Sequence, residues 1–176
     1  MQRLKRLWTL KTKNLKTANN YGCPVRRIIT LKLKPFSINA MFCRDKRHKT
    51  IEAQEWSASV LVALALKENK KKLKELRQYF DPKKHVYKVD LTFFYPKHVL
   101  HTKEGPISAR AHDLSNVEKP LIDLIFLPLY YDRPSPYGAK NLNVDDKYIT
   151  HLISKKRAGK SFKIKVSIQI KALNPK

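Results

Sequence analysis

Two stretches in which apolar and polar side chains alternate constrain the fold of this chain more than any other feature. Residues 29–34 alternate isoleucine and leucine with threonine and lysine, and residues 85–95 place tyrosine, valine, leucine and phenylalanine at every second position. A period of two residues is typical of a β-strand that buries one face. Each stretch therefore predicts a half-buried strand, and Pro35 ends the first one.

Segments with helical spacing follow each predicted strand. Residues 51–66 repeat apolar side chains with the period of a helix, and residues 67–77 predict a lysine-rich continuation of it. Residues 114–130 are apolar enough for a buried helix, in which two prolines must lie at the start, a kink or the end.

The C-terminal part predicts two more strands. Residues 147–154 and 161–172 are expected to pair as a β-hairpin around residues 157–160. Together the segments predict the α/β (α+β) class, with a single compact domain over residues 25–176 and a mixed sheet in the order β-α-β-α-β-β. Residues 1–24 are basic and polar, and they are expected to form an N-terminal arm that contacts DNA.

The charge of the chain indicates a polyanionic partner. Lys and Arg number 38 against 14 Asp and Glu, and the net charge of +24 attracts phosphate over long range. Nucleic acid is the default partner, and an anionic membrane surface is the rival. No stretch approaches the ~20 apolar residues of a spanning helix, so we expect no membrane partner.

Several classes of protein are disfavoured by what the sequence lacks. With four glycines and no glycine-rich phosphate loop, we expect no nucleotide cofactor. Two cysteines do not supply a disulfide framework or a four-cysteine zinc site. No signal-peptide pattern is visible, so we expect a cytoplasmic location, with an organelle transit peptide as a minor alternative.

A cluster of acidic residues interrupts this basic chain. Six of the 14 Asp and Glu lie between residues 113 and 146. Four polar residues at the start of the cluster are spaced three, three and four residues apart, which places them along one helix face. These four are Asp113, Asn116, Lys119 and Asp123. Such spacing alone also fits a polar stripe that meets water, but the pair Asp145-Asp146 opens the next element, where another carboxylate could reach the same divalent cation.

The two acidic segments resemble the RusA family of Holliday-junction resolvases, which occurs in phages and prophage-bearing bacteria. The segments are His112-Asp-Leu-Ser-Asn-Val-Glu-Lys-Pro-Leu-Ile-Asp123 and Val144-Asp-Asp-Lys-Tyr-Ile149. The family pattern is D-x-D-N-x-x-K-x-x-x-D, followed by D-D and an apolar strand. Upstream, Lys34-Pro-Phe-Ser-Ile-Asn39 is similar to the family's P-x-S-x-N segment, so the resemblance covers roughly residues 28–172.

The resemblance implies a Mg²⁺-dependent endonuclease, with Mn²⁺ as a possible substitute, that cuts four-way DNA junctions as a homodimer. It implies catalytic roles for Asp113, Asn116, Lys119 and Asp146. It implies metal ligation by Asp113, Asp123, Asp145 and Asp146. Ser115 stands where the family has a second acid, and a hydroxyl is a weaker Mg²⁺ ligand than a carboxylate. The alternative is therefore a non-catalytic basic nucleic-acid-binding protein, such as a ribosomal or DNA-architectural protein.

Basic residues on predicted loops and turns are expected to contact the DNA backbone. Contacts of this kind release counterions, so the affinity should fall steeply with salt. The predicted DNA-binding residues are Arg44, Lys46, Arg47, Lys49, Arg110 and Arg157.

Overall fold

A four-stranded mixed sheet with helices on one face forms the body of the computed structural model, which describes residues 25–43, 48–108, 110–130 and 146–173. The strands are β1 (Arg26–Leu31), β2 (His85–Pro96), β3 (Ile149–Gly159) and β4 (Lys163–Ala172). The helices are α1 (Ile51–Ala65), α2 (Lys67–Tyr79), α3 (Lys97–Leu100) and α4 (Leu114–Tyr130), with 3-10 turns at Ile38–Ala40 and Asp146–Tyr148. The predicted α+β class, with one compact domain and a mixed sheet, is confirmed. The predicted N-terminal arm, residues 1–24, lies outside the described residues.

The sheet order is β1-β4-β2-β3, and it shows that the predicted C-terminal hairpin was wrong. β4 pairs antiparallel with β1 and β2, whereas β3 pairs parallel with β2, so β3 and β4 flank β2 on opposite sides. Residues 157–159, which were expected in the hairpin turn, instead form the end of β3. Residues 160–162 then cross the end of β2 to reach the start of β4. Gly159 permits this crossing, because a Cβ there would lie 3.3 Å from the Cβ of Phe94.

Strand register divides the sheet into two chemically different faces. On the helix face, Val89, Leu91 and Phe93 of β2 lie opposite Ile168, Val166 and Ile164 of β4, and all six are buried. α1, α2 and α4 cover this face. On the open face, which is the opposite side of the sheet, β2 presents Val86, Lys88, Asp90, Thr92 and Phe94. The alternation read from the sequence thus separates core from surface, as a period of two requires.

The first helical segment is two helices rather than one continuous helix. Leu66 between them has ψ 139°, which is not helical, and its side chain is 59% exposed. Asn69 donates a side-chain hydrogen bond of 2.9 Å to the Ala63 carbonyl, which satisfies one of the free carbonyls at the end of α1. α2 then turns onto β1, where Glu75 forms an ion pair with Arg27.

α4 runs from Leu114 to Tyr130 and carries the candidate site on its exposed side. Pro120 lies inside the helix rather than at its start, and it has no N–H to donate to the Asn116 carbonyl. Buried side chains including Val117, Leu121 and Ile125 hold the other side of α4 against the sheet. Every described helix is too short or too polar to cross a membrane.

Candidate functional site

Side chains from α4 and from the start of β3 meet at a lysine. Lys119 donates hydrogen bonds to Asp123 Oδ1, at 2.6 Å, and to Asp146 Oδ2, at 3.2 Å. Asp123 lies one helical turn after Lys119, whereas Asp146 is 27 residues away in the chain and opens the 3-10 turn before β3. The two acidic segments that were identified in the sequence are therefore adjacent in the fold.

The electrostatics of this cluster favour a charged lysine. The hydrogen bond to Asp123 raises the pKa of Lys119 above its ordinary value, partial burial opposes the shift, and Asp146 adds to it. The Lys119 side chain is 58% exposed, so a bound phosphate can reach the ammonium. Two carboxylates that converge on one cation also provide hard oxygen donors of the kind that Mg²⁺ prefers.

Asp113 directly precedes α4, and Asn116 lies in its first turn. Asn116 donates its backbone N–H to the Asp113 carbonyl at 3.2 Å, which fixes the entry to the helix. Asp113 is exposed and Asn116 is half-buried. Asp113 precedes Lys119 by six residues, or about 9 Å of helical rise. Asp113 is therefore displaced along the chain from the Lys119 cluster.

The four predicted metal ligands are not assembled in the part of the chain that the structure describes. Among the described residues, no group of three or more His, Cys, Asp or Glu side chains could hold a metal ion. Asp145, one of the predicted ligands, lies outside the described residues. Asp123 and Asp146 both accept hydrogen bonds from Lys119. A divalent cation bound by this pair would therefore compete with the lysine for their oxygens.

Two lysines near Asp113 were missed by the sequence prediction. Lys156 donates a 3.3 Å hydrogen bond to the Ala111 carbonyl, two residues before Asp113. Burial lowers the pKa of His112, and the charges of Lys34 and Lys156 lower it further, against the opposing effect of Asp113. These two lysines therefore surround the start of α4 with positive charge. β3 places Lys156 on the helix face, in register with Phe93.

The upstream segment of the resemblance also lies beside α4. Ser37 caps the 3-10 turn at Ile38–Ala40, because its Oγ accepts a hydrogen bond of 3.3 Å from the Asn39 N–H. This turn packs against α4. Trp56 holds the preceding chain in place by donating its indole N–H to the Lys34 carbonyl at 2.9 Å.

Of the predicted DNA-binding residues that the structure describes, Arg157 lies apart from the Lys119 cluster. Arg44, Lys46 and Arg47 lie outside the described residues. Lys49 is exposed shortly before the start of α1, and Arg110 is exposed before the start of α4. Arg157 pairs in register with Phe94 and therefore lies on the open face, on the other side of the sheet from the Lys119 cluster. Any DNA contact by Arg157 would thus need a second surface.

Comparison with known proteins adds no family to this geometry. No protein-family model matches the chain, and no curated protein is significantly similar to it in sequence. The resemblance to RusA resolvases rests on the three quoted sequence segments.

Proposed function

We propose that this protein is a metal-dependent, structure-selective DNA endonuclease of the RusA type. Its substrate would be a four-way junction, cut by paired phosphodiester hydrolysis in the cytoplasm of a bacterium, with the gene carried by a phage or prophage. The observation that carries the proposal is the contact of Lys119 with Asp123 and Asp146. It joins the two acidic segments, which are far apart in the chain, at one exposed cation.

In this proposal each described residue has a task that suits its surroundings. Lys119, kept protonated by its two carboxylates, binds the scissile phosphate and stabilises the charge that develops there. Asp123 orients Lys119. Lys34 and Lys156 attract the phosphate backbone to the start of α4. The resemblance assigns Mg²⁺ ligation to Asp113 and Asp146, with Asp145, and the ion when bound would supply a water of lowered pKa and neutralise phosphate charge.

The homodimer implied by the resemblance would need a surface on which two chains of charge +24 can meet. α1 offers such a surface, because residues 51–66 contain Glu52 and Glu55 but no Lys or Arg. Its outward side exposes Ile51 by 73% and Val62 by 66%. A two-fold interface uses the same patch on both subunits, so a helix without Lys or Arg is well suited to a basic protein.

The experiment that tests the proposal compares a labelled immobile four-way junction with a matched duplex, in Mg²⁺ or in EDTA, on denaturing gels. We expect paired symmetric nicks in the junction alone, abolished by EDTA and by Asp113→Asn, with junction binding retained. Asp81→Asn, a change of equal charge at the turn before β2, serves as the control. Cleavage that is unaffected by Asp113→Asn would contradict the proposed site.

A second candidate function is favoured by a specific observation. Position 115 holds a serine where the family pattern has a carboxylate. Among the described residues, no group of three or more His, Cys, Asp or Glu could hold a metal ion. The protein would then bind branched or duplex nucleic acid without cutting it. Binding without cleavage in both Mg²⁺ and Mn²⁺ would support this function over the nuclease.

A further inference from the structure

The open face of the sheet concentrates positive charge far beyond the average of the chain. Strand register assigns seven cationic side chains to this face: Arg26 on β1, Lys88 on β2, Lys155 and Arg157 on β3, and Lys163, Lys165 and Lys171 on β4. Asp90 is the single carboxylate that the described strands present there. The ratio of seven to one exceeds the 38 to 14 of the whole chain, so this face is not simply an average sample of a basic surface.

The cations of the open face are arranged in rows across the strands. Lys165 lies opposite both Thr30 and Thr92, and Thr92 is in register with Lys155. Arg157 and Lys163 flank Phe94 in the next row. Neighbouring strands are about 4.8 Å apart and alternate residues about 6.7 Å apart, so the charges form a flat two-dimensional array.

Most of this charge is available to a partner. Lys155, Arg157 and Lys165 are exposed, and within the described part of the chain none of them forms an ion pair. Asp90 lies 3.8 Å from Lys88 and neutralises only that lysine. The lysine-rich helix α2 differs, because Glu68 pairs with Lys72 there and Glu75 pairs with Arg27 of β1. Mutual repulsion on the open face is a cost that a bound polyanion would remove.

We propose that the open face is a second nucleic-acid-binding surface, which contacts the phosphate backbone without reading sequence. Lys163 covers the Phe94 ring at 4.3 Å, so this aromatic is not free to stack on a base. An anionic membrane fits the face less well, because interfacial binding also needs inserted apolar side chains. Among the described strand residues of the open face, the exposed large apolar side chain is that of Ile153, which lies at the edge of the sheet and is 47% exposed.

This surface lies on the opposite side of the sheet from Lys119, so one chain would contact nucleic acid on two sides. The inference rests on the proposal that the protein acts on nucleic acid, but it does not depend on cleavage. A junction, with several duplex arms, could reach both surfaces at once. The open face would then add affinity without taking part in the reaction.

The test compares two triple variants of the full-length protein that lose the same charge. Lys155→Gln, Lys163→Gln and Lys165→Gln change the open face, and Lys67→Gln, Lys71→Gln and Lys74→Gln change the exposed side of α2. Binding is measured by fluorescence anisotropy from low to high salt on duplex DNA, on single-stranded DNA and on vesicles that contain anionic lipid. Thermal unfolding checks that both variants fold.

We expect the open-face variant to reduce the slope of log affinity against log salt by about 2.7 on duplex and about 2.1 on single strands, which corresponds to three lost phosphate contacts. The α2 variant should keep the slope of the wild-type protein. Equal reductions in both variants would mean that net charge alone matters, and would overturn the proposal. Loss of vesicle binding with unchanged nucleic-acid binding would overturn it as well. Cleavage of a junction, measured separately, tests the nuclease proposal on its own.

Discussion

The two faces of β2 differ in what determines their side chains. On the helix face, Tyr87 through Tyr95 at every second position are buried, and their sizes and shapes are set by the helices that cover them. On the open face, Lys88, Asp90 and Phe94 alternate with them along the same backbone and are partly exposed. The charged side chains of the open face can therefore bind a partner. The side chains of the helix face must pack against the helices, and they thereby position α4 and its site.

The largest contrast between the faces is expected in stability. Phe93 is fully buried on the helix face, whereas Phe94, the next residue, is partly exposed on the open face beneath Lys163. Phe93→Ala should lower the free energy of unfolding by about 3–5 kcal/mol, because it leaves a cavity in the core. Phe94→Ala should cost about 1 kcal/mol, mainly a lost cation–π contact. Urea unfolding of the two variants measures the difference, and equal losses would show that the open face is also part of a core.

Acidic residues on the two faces provide the next contrast. Asp146→Asn removes a carboxylate that contacts Lys119, and junction cleavage should fall at least about 100-fold with binding retained. Asp90→Asn on the open face should leave cleavage unchanged and free Lys88 for phosphate, which steepens the salt slope by about 0.9. Single-turnover cleavage and salt titration measure both effects. A cleavage defect in Asp90→Asn comparable to that of Asp146→Asn would remove the distinction between the faces.

Sequence pattern predicted the parts of this fold that depend on local periodicity. Alternation placed β1 and β2, and helical spacing placed α1 and α4, because burial of one side imposes its period on the chain. The same spacing put Asn116, Lys119 and Asp123 on one side of α4. The sequence analysis expected Asp145-Asp146 to share a cation with these residues, but it did not predict the contact of Asp146 with Lys119, because contacts across 27 residues leave no periodic signal.

The failures of sequence prediction concern pairing and long-range contact. The end of β3 carries Gly159, which was taken for a turn residue, whereas the glycine is needed for a close crossing over Phe94. Adjacent strands in the chain usually pair, and here β2 lies between them. Lys34 and Lys156 were overlooked because single lysines in a basic chain give no motif, and only the fold brings both near His112.

Both proposed nucleic-acid surfaces would be duplicated if α1 forms the dimer interface. Val62→Glu, on its exposed apolar side, should weaken the dimer at least about 10-fold, because each interface would then bury two unpaired carboxylates. Ile107→Glu, at a residue 64% exposed on the loop after α3, makes the same charge change away from α1. Sedimentation equilibrium measures dissociation of the two variants. An effect of Ile107→Glu equal to that of Val62→Glu would exclude α1 as the interface.

A substitution of Ser115, on the side of the sheet that bears the site, is expected to have a smaller and more local effect. If the missing carboxylate limits metal binding, Ser115→Asp should lower the Mg²⁺ concentration needed for half-maximal cleavage by several-fold, because a carboxylate is the stronger ligand. Ser115→Asn is the matched control, similar in size but uncharged. A Mg²⁺ titration of junction cleavage decides between them, and a higher requirement for Ser115→Asp would refute this explanation.

The finest contrast uses two adjacent lysines of β3 that lie on opposite faces. Burial, and then the charges of Lys34 and Lys156, hold the pKa of His112 below its usual value of 6.5. Lys156→Met should raise that pKa, whereas Lys155→Met on the open face should leave it unchanged. NMR titration of the metal-free protein measures both pKa values.

The same shift has a defined effect on stability. Since the folded state disfavours the charged imidazole, the contribution of His112 is fully present above pH 6.5 and is lost as the pH falls toward the folded-state pKa. Lys156→Met should flatten this loss, because the folded and unfolded pKa values move closer together. Urea unfolding at a series of pH values between 5 and 8, with Lys155→Met as the control, tests the sign. If Lys155→Met flattened the loss as much as Lys156→Met, the sheet would not separate the charges of its two faces.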